Sequence, residues 1–74
     1  MPKLPRVKPR VVIKALQKAG FRIDHVSGSH YVLYKDDHLP PVTVPYHNND
    51  MRLGTLSAVL KSAKISREAF RKLL

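Results

Sequence analysis

The amino-acid sequence predicts an α+β domain in which a three-stranded antiparallel sheet carries helices on one face and leaves its other face open to solvent. Three observations lead to this fold class. From residue 9 the chain has apolar residues at helical spacing. It continues with short β-prone runs separated by turn residues and ends with two further helical patterns. Because 74 residues suffice for one domain, we expect a single unit at residues 9–74, preceded by a basic, proline-containing arm at residues 1–8.

The first element is a helix predicted over residues 9–19. Pro9 suits the first helical turn, and Gly20 suits a left-handed stop just beyond the last turn. Between them, apolar side chains recur at helical spacing: Val12, Ile13, Ala15, Leu16 and Ala19. The opposite side carries basic residues four positions apart: Arg10, Lys14 and Lys18. Like charges at this spacing repel, so the pattern indicates either a solvated face or a stripe that contacts phosphate.

The middle of the chain predicts three strands. Residues 21–26 alternate, with Phe21 and Ile23 on one side, and residues 30–35 form an unbroken aromatic and β-branched run. The short Ser27-Gly28-Ser29 connection joins them as an antiparallel hairpin. Residues 42–44 predict a third strand, and Pro45 closes it. Because proline cannot donate a hydrogen bond to a ladder, this strand should lie at an edge of the sheet.

Two helices are predicted after the strands. Residues 53–63 have a helical apolar pattern, and Thr55 stands near the expected N-cap. Ser66 is a suitable N-cap for a final short helix. The apolar side of that helix should consist of Ala69, Phe70, Leu73 and Leu74.

Charge and composition narrow the class of function. The chain has 14 Lys and Arg against 5 Asp and Glu, a formal net charge of +9 that favours polyanions. Nucleic acid, an anionic membrane surface and an acidic protein are candidate partners, beside a basic protein with no such partner. The lack of cysteine excludes disulfides, thiolate catalysis and Cys-ligated zinc. With neither an apolar signal segment nor a membrane-length apolar run, we expect a soluble, cytoplasmic protein.

The histidines are the remaining candidates for chemistry. They show no metal-ligand spacing, so we expect no metal site, and the chain has no P-loop, dinucleotide fingerprint or nucleophile elbow. His30 differs in its setting, because it follows a Gly-Ser turn and opens a strand. There its imidazole could take a proton from a ribose 2′-OH or deliver one to a leaving 5′-oxygen. A purely structural histidine remains the alternative.

Four short motifs together resemble the HicA toxin family, and the match runs from about Lys3 to Leu74. The motifs, in chain order, are Ala19-Gly20-Phe21, Gly28-Ser29-His30, Val42-Thr43-Val44-Pro45 with His47 two residues on, and Leu53-Gly54-Thr55-Leu56.

The resemblance implies a double-stranded-RNA-binding-domain-like α-β-β-β-α fold and a toxin of a type II toxin–antitoxin pair. It further implies an mRNA interferase, an endoribonuclease that cleaves mRNA without a metal or small-molecule cofactor and is neutralised by an acidic HicB-like antitoxin. The family's catalytic histidine falls on His30, with Gly28 and Ser29 as the turn that presents it. His47 is a candidate RNA or partner contact. Further candidate RNA-binding residues, chosen on charge and predicted exposure, are Lys14, Lys18, Arg22 and Lys35.

Two other interpretations stay open. A non-catalytic double-stranded-RNA-binding module would use basic residues at a helix N-terminus, and the second helix here begins with Arg52-Leu53-Gly54-Thr55, which lacks a lysine cluster. Alternatively, the basic surface could mainly dock an acidic protein. That reading is compatible with a toxin, because an antitoxin must cover the site and can mimic the charge of RNA.

Overall fold

A computed structural model describes residues 4–74, and the first three residues of the expected arm lie outside that range. The elements in chain order are α1 (Pro9–Lys18), β1 (Arg22–Ser27), β2 (His30–Tyr34), β3 (Val42–Pro45), α2 (Leu53–Ala63) and α3 (Arg67–Leu73). The strands form one antiparallel sheet of order β1-β2-β3. The predicted α+β class and the edge position of the strand that ends at Pro45 are therefore confirmed.

Helix α1 begins at the predicted residue and ends at Lys18, one residue before the predicted end, so that Ala19 of the predicted apolar side is the C-cap. Pro9 occupies its first turn, and the chain leaves the helix through Gly20, whose φ is +102°. That positive φ is easily reached only by a residue without a Cβ. The buried side of the helix consists of Pro9, Val12, Ile13, Ala15 and Leu16.

The core lies between the helices and the inner face of the sheet. Its most deeply buried side chains come from all three helices, from β2 and β3, and from the segment before α2: Val12, Leu16, Leu33, Val42, Val44, Met51, Leu56 and Phe70. Among residues 4–74 no polar or charged residue is buried. Any chemistry of the described residues therefore takes place at the surface.

Strand β1 departs from the predicted alternation. Phe21 is buried just before the strand, but all six residues of β1 are exposed. Ile23 and Val26 point to the helix side of the sheet, opposite Leu33 and Tyr31, yet are 39% and 51% exposed. The reason is that α1 and α2 pack against β3, the opposite edge.

The ends of the last two helices differ in how well they were predicted. Thr55 does not cap α2, because the helix begins at Leu53 and its N-cap is Arg52, which forms no side-chain cap. Ser66 caps α3 as predicted, since its Oγ accepts a hydrogen bond from Ala69 N at 3.0 Å. Only two of the four residues predicted for the apolar side of α3 contact the core. Phe70 is buried and Leu73 partly buried, whereas Ala69 and Leu74 are exposed.

The segment before α1 is tied to the domain. Leu4 and Val7 pack against the core, and Val7 O accepts a hydrogen bond from Met51 N at 2.8 Å. This contact places the start of α1 beside the segment that leads into α2.

Candidate functional site

The β1–β2 turn determines where His30 lies. Ser27 and His30 form the last pair of the hairpin, which leaves Gly28 and Ser29 as a two-residue loop. Gly28 has a φ of +58°, and a positive φ at the first loop position is what a type II′ turn requires. Ser29 O accepts a hydrogen bond from Tyr46 N at 2.6 Å, so the turn is also held from the β3 side.

His30 belongs to the outer face of the sheet, which we define as the face turned away from the helices. Directly opposed residues of antiparallel strands share a face, and His30 is opposed by Ser27 on β1 and by Pro45 on β3. By the same register, the outer face consists of Arg22, His25, Ser27, His30, Val32, Tyr34, Thr43 and Pro45. His30 therefore lies at the hairpin end of the central strand, exposed to solvent and between two neighbouring strands.

Two shallow clefts adjoin this end of the sheet, and His47 lines both. The larger, of about 470 Å³, begins at Pro45, the cross-strand neighbour of His30. Its remaining lining residues are His47, Asn49, Asp50, Arg52 and Thr55. The smaller, of about 210 Å³, is lined by Lys8, Arg10, Tyr46, His47 and Asn48. The fold thus collects the cations Lys8, Arg10 and Arg52 around the loop that follows β3.

Sequence reasoning did not single out this cationic group as part of the site. Lys8 and Arg10 precede and open α1, whereas Arg52 precedes α2, so their residue numbers give no sign of proximity.

The structure separates the other predicted RNA-binding residues from His30. Arg22 shares the outer face but pairs with Tyr34 at the opposite end of β2. Tyr34 is four residue steps along β2 from His30, which corresponds to about 13 Å. Lys35 lies close to that opposite end too, with its Nζ 5.8 Å from the centre of the Phe21 ring.

Lys14 and Lys18 lie on the exposed side of α1, in the helical layer that packs on the inner face. Lys18 Nζ donates a hydrogen bond to Leu73 O at 3.2 Å, which links α1 to the end of α3. Neither lysine is brought to the outer face on which His30 lies.

The far end of β2 is acidic. The hydroxyl of Tyr34 donates to Asp37, and Asp36 Oδ1 accepts a hydrogen bond from His38 N at 2.8 Å. The hydrogen bond to the Asp37 carboxylate, followed by partial desolvation and by the charges of Asp37 and Asp36, raises the pKa of Tyr34 above its usual 10.0. The outer face therefore has a histidine-bearing end at the hairpin and a carboxylate-bearing end at the β2–β3 connection.

Two further features of the described part of the chain bear on the kind of site. Within residues 4–74, no three His, Asp or Glu side chains are grouped so that they could hold a metal ion. None of the helices in that range is long and apolar enough to cross a membrane.

A protein-family model matches most of the chain. The family model described as HicA toxin of bacterial toxin-antitoxin matches residues 9–65, which run from the start of α1 to just beyond the end of α2. The match includes the hairpin turn, His30 and the loop that carries His47. A search of curated protein sequences found no match to this chain.

Proposed function

The chain belongs to the HicA toxin family of bacterial toxin–antitoxin systems, and we propose that it is a metal-independent endoribonuclease that cleaves mRNA with His30 as a proton-transfer residue. The observation that carries this proposal is the setting of His30. It is an exposed histidine that opens the central strand, and its cross-strand neighbour Pro45 lines a cleft that also contains Arg52.

The chemistry required is within reach of such a surface. RNA carries its own nucleophile in the 2′-OH, so strand cleavage needs proton transfer and stabilisation of the charge that develops on phosphate. An imidazole titrates near neutral pH and can therefore accept the 2′-OH proton. Lys8, Arg10 and Arg52 supply positive charge next to the loop that follows β3.

The proposed RNA path follows from the same placement. His47 lies between the two clefts, and Arg22 lies on the outer face at the other end of the hairpin strands. A single-stranded segment that crosses the outer face would pass both residues and His30. Lys14, Lys18 and Lys35 lie off this path, so any contact from them would involve RNA beyond the cleaved nucleotides.

The partner that we propose is an acidic, HicB-like antitoxin. A chain of net charge +9 attracts an acidic protein, and a cover over the outer face would hide His30 from RNA. Co-expression with the product of the neighbouring gene should yield a stable complex in which RNA cleavage is lost. A neighbouring product that is basic, or that leaves cleavage intact, would contradict this part of the proposal.

The test of catalysis compares two exposed histidines of the same chain. His30→Ala should lower the cleavage rate of single-stranded RNA by about 10²–10⁴-fold, the usual contribution of a general acid or base. His38→Ala is the matched control, because His38 lies in the acidic β2–β3 connection, and it should cleave at the parental rate. Addition of EDTA should leave the parental rate unchanged.

Three results would count against the proposal. Undiminished cleavage by the His30→Ala variant would remove His30 from the reaction, and loss of cleavage in EDTA would indicate a metal-dependent enzyme. Tight binding to duplex RNA without any cleavage would favour the alternative function, a non-catalytic double-stranded-RNA-binding module. Growth arrest on expression in bacteria separates the two functions in cells.

A further inference from the structure

Strand β1 contains one residue more than the part of β2 with which it pairs. Ile23 is opposed by Leu33 and His25 by Val32, so Asp24 is an inserted residue in a β-bulge. In a regular strand, neighbouring side chains point to opposite faces. Bulges interrupt this alternation and redirect side chains, and they are common next to active sites.

The bulge brings Asp24 and His25 together. Asp24 Oδ2 lies 2.7 Å from His25 Nδ1, although the two residues are consecutive in a strand. An ionised carboxylate can only accept a hydrogen bond, so Nδ1 is the donor. This arrangement fixes the ring and leaves Nε2 of His25 free to meet a substrate.

The Asp24–His25 pair contributes little to folding. The two side chains are 60% and 57% exposed, and ion pairs in solvent stabilise proteins weakly or not at all. A carboxylate that orients an exposed imidazole is therefore better explained by chemistry at that imidazole than by stability.

His25 lies on the same face as His30, diagonally across the hairpin. His25 is opposed by Val32, and His30 is two residues from Val32 on β2, so both histidines belong to the outer face. The Cα atoms of diagonal neighbours on one face lie about 7–8 Å apart. Two imidazoles at that spacing can approach a single phosphodiester from its two sides. The other charged or titratable groups beside His25 on this face, Arg22 and Tyr34, lie away from His30.

We propose that His25 is the general acid of the cleavage reaction, with Asp24 as its positioning residue and His30 as the general base. This inference rests on the ribonuclease function proposed above. His30 removes the proton of the 2′-OH as the 2′-oxygen forms a bond to phosphorus. The bond between phosphorus and the 5′-oxygen breaks. His25 acts in its doubly protonated form, with Nδ1 donating to Asp24, and gives its Nε2 proton to that departing oxygen. The products are a 2′,3′-cyclic phosphate and a free 5′-hydroxyl. At the end of the step His30 has taken up one proton and His25 has released one.

The decisive experiment uses two RNA substrates that differ in one atom. The first is ordinary RNA, and the second has sulfur in place of the bridging 5′-oxygen at the scissile bond. A thiolate leaves without protonation, so the second substrate does not need a general acid. His25→Ala should slow cleavage of ordinary RNA by about 10²-fold or more, as expected for a lost general acid. The same variant should cleave the sulfur substrate at close to the parental rate.

Companion variants separate the roles of the three residues. His30→Ala should be slow on both substrates, because the 2′-OH proton must still be removed. Asp24→Asn should be slow on ordinary RNA only, with its defect in kcat rather than in KM. His38→Ala is again the control and should match the parent on both substrates. His25→Gln, with a circular dichroism spectrum and melting curve, shows that the rate loss does not come from unfolding.

The outcomes are distinguishable. A slow His25→Ala variant that recovers on the sulfur substrate supports the acid role. If that variant cleaved ordinary RNA at the parental rate, or stayed slow on both substrates, the acid role would be wrong while the function of His30 could stand. Parental activity of His30→Ala would instead overturn the proposed function itself.

Discussion

The two edge strands, β1 and β3, flank the same central strand but have opposite environments. Both α1 and α2 pack against β3, and its Val42 and Val44 are 1% and 0% exposed. No residue of β1 is buried, and even its helix-side residue Val26 is half exposed. One edge thus joins the sheet to the core, while the other is held mainly by its ladder to β2.

This difference separates stability from chemistry within one small sheet. The side chains of the proposed catalytic apparatus lie on β1 and at the hairpin end of β2, where few contacts depend on them. Substitutions there should change activity with little effect on folding. Substitutions of the buried β3 residues Val42 and Val44 should do the reverse.

The sharpest test of the comparison uses two valines that flank one tyrosine. Val26 and Val44 both oppose Tyr31 on the inner face, one from each side. Val44→Ala should lower the free energy of unfolding by about 2–3 kcal/mol, because it removes buried methyl groups and leaves a cavity. Val26→Ala should cost less than about 1 kcal/mol, since its side chain is half exposed. Urea denaturation followed by circular dichroism measures both, and equal losses would show that β1 is packed as tightly as β3.

A smaller difference is expected between two glycines. Gly20 has a φ of +102°, and an added Cβ there would lie 3.2 Å from Lys35 Cε, whereas Gly28 has a φ of +58° and open space around it. Gly20→Ala should therefore cost about 2 kcal/mol and Gly28→Ala about 1 kcal/mol, most of it backbone strain. Thermal melting of the two variants tests which one is less stable. A greater loss of stability in Gly28→Ala would contradict the open space around Gly28.

The smallest effect is expected at the acidic end of β2, remote from the hairpin turn. Because the hydrogen bond to Asp37 raises the pKa of Tyr34, this contact stabilises the fold below pH 10.0 and is lost as the pH rises through the raised value. Asp37→Asn should move the titration of Tyr34 back towards pH 10.0 without changing RNA cleavage. Near-ultraviolet absorbance during an alkaline titration detects the shift, and an unchanged titration would contradict the contact.

The sequence predicted the elements well where local patterns decide them. Pro9 and Gly20 bracket α1, Ser66 caps α3, and Pro45 ends an edge strand, each through chemistry of the residue itself. Thr55 misled because a side chain that can cap a helix does so only where the helix begins, and here α2 begins two residues earlier.

The candidate site was predictable only in part. The family resemblance indicated His30 and its turn, because those residues are contiguous in the chain. The bulge at Asp24 was not foreseen, since residues 21–26 alternate as a regular strand would. The grouping of Lys8, Arg10 and Arg52 was missed because it depends on how α1 and α2 are arranged around the loop after β3.

The bulge has a second consequence, for the assembly of the protein with itself. A strand at the edge of a sheet presents free backbone groups that can template pairing with another copy. The inserted Asp24 interrupts that row of backbone groups on β1. Strand β3 is only four residues long, and its Pro45 has no backbone N–H to donate. Both edges are therefore poor templates, and we expect the sheet to end at three strands even when the protein is concentrated.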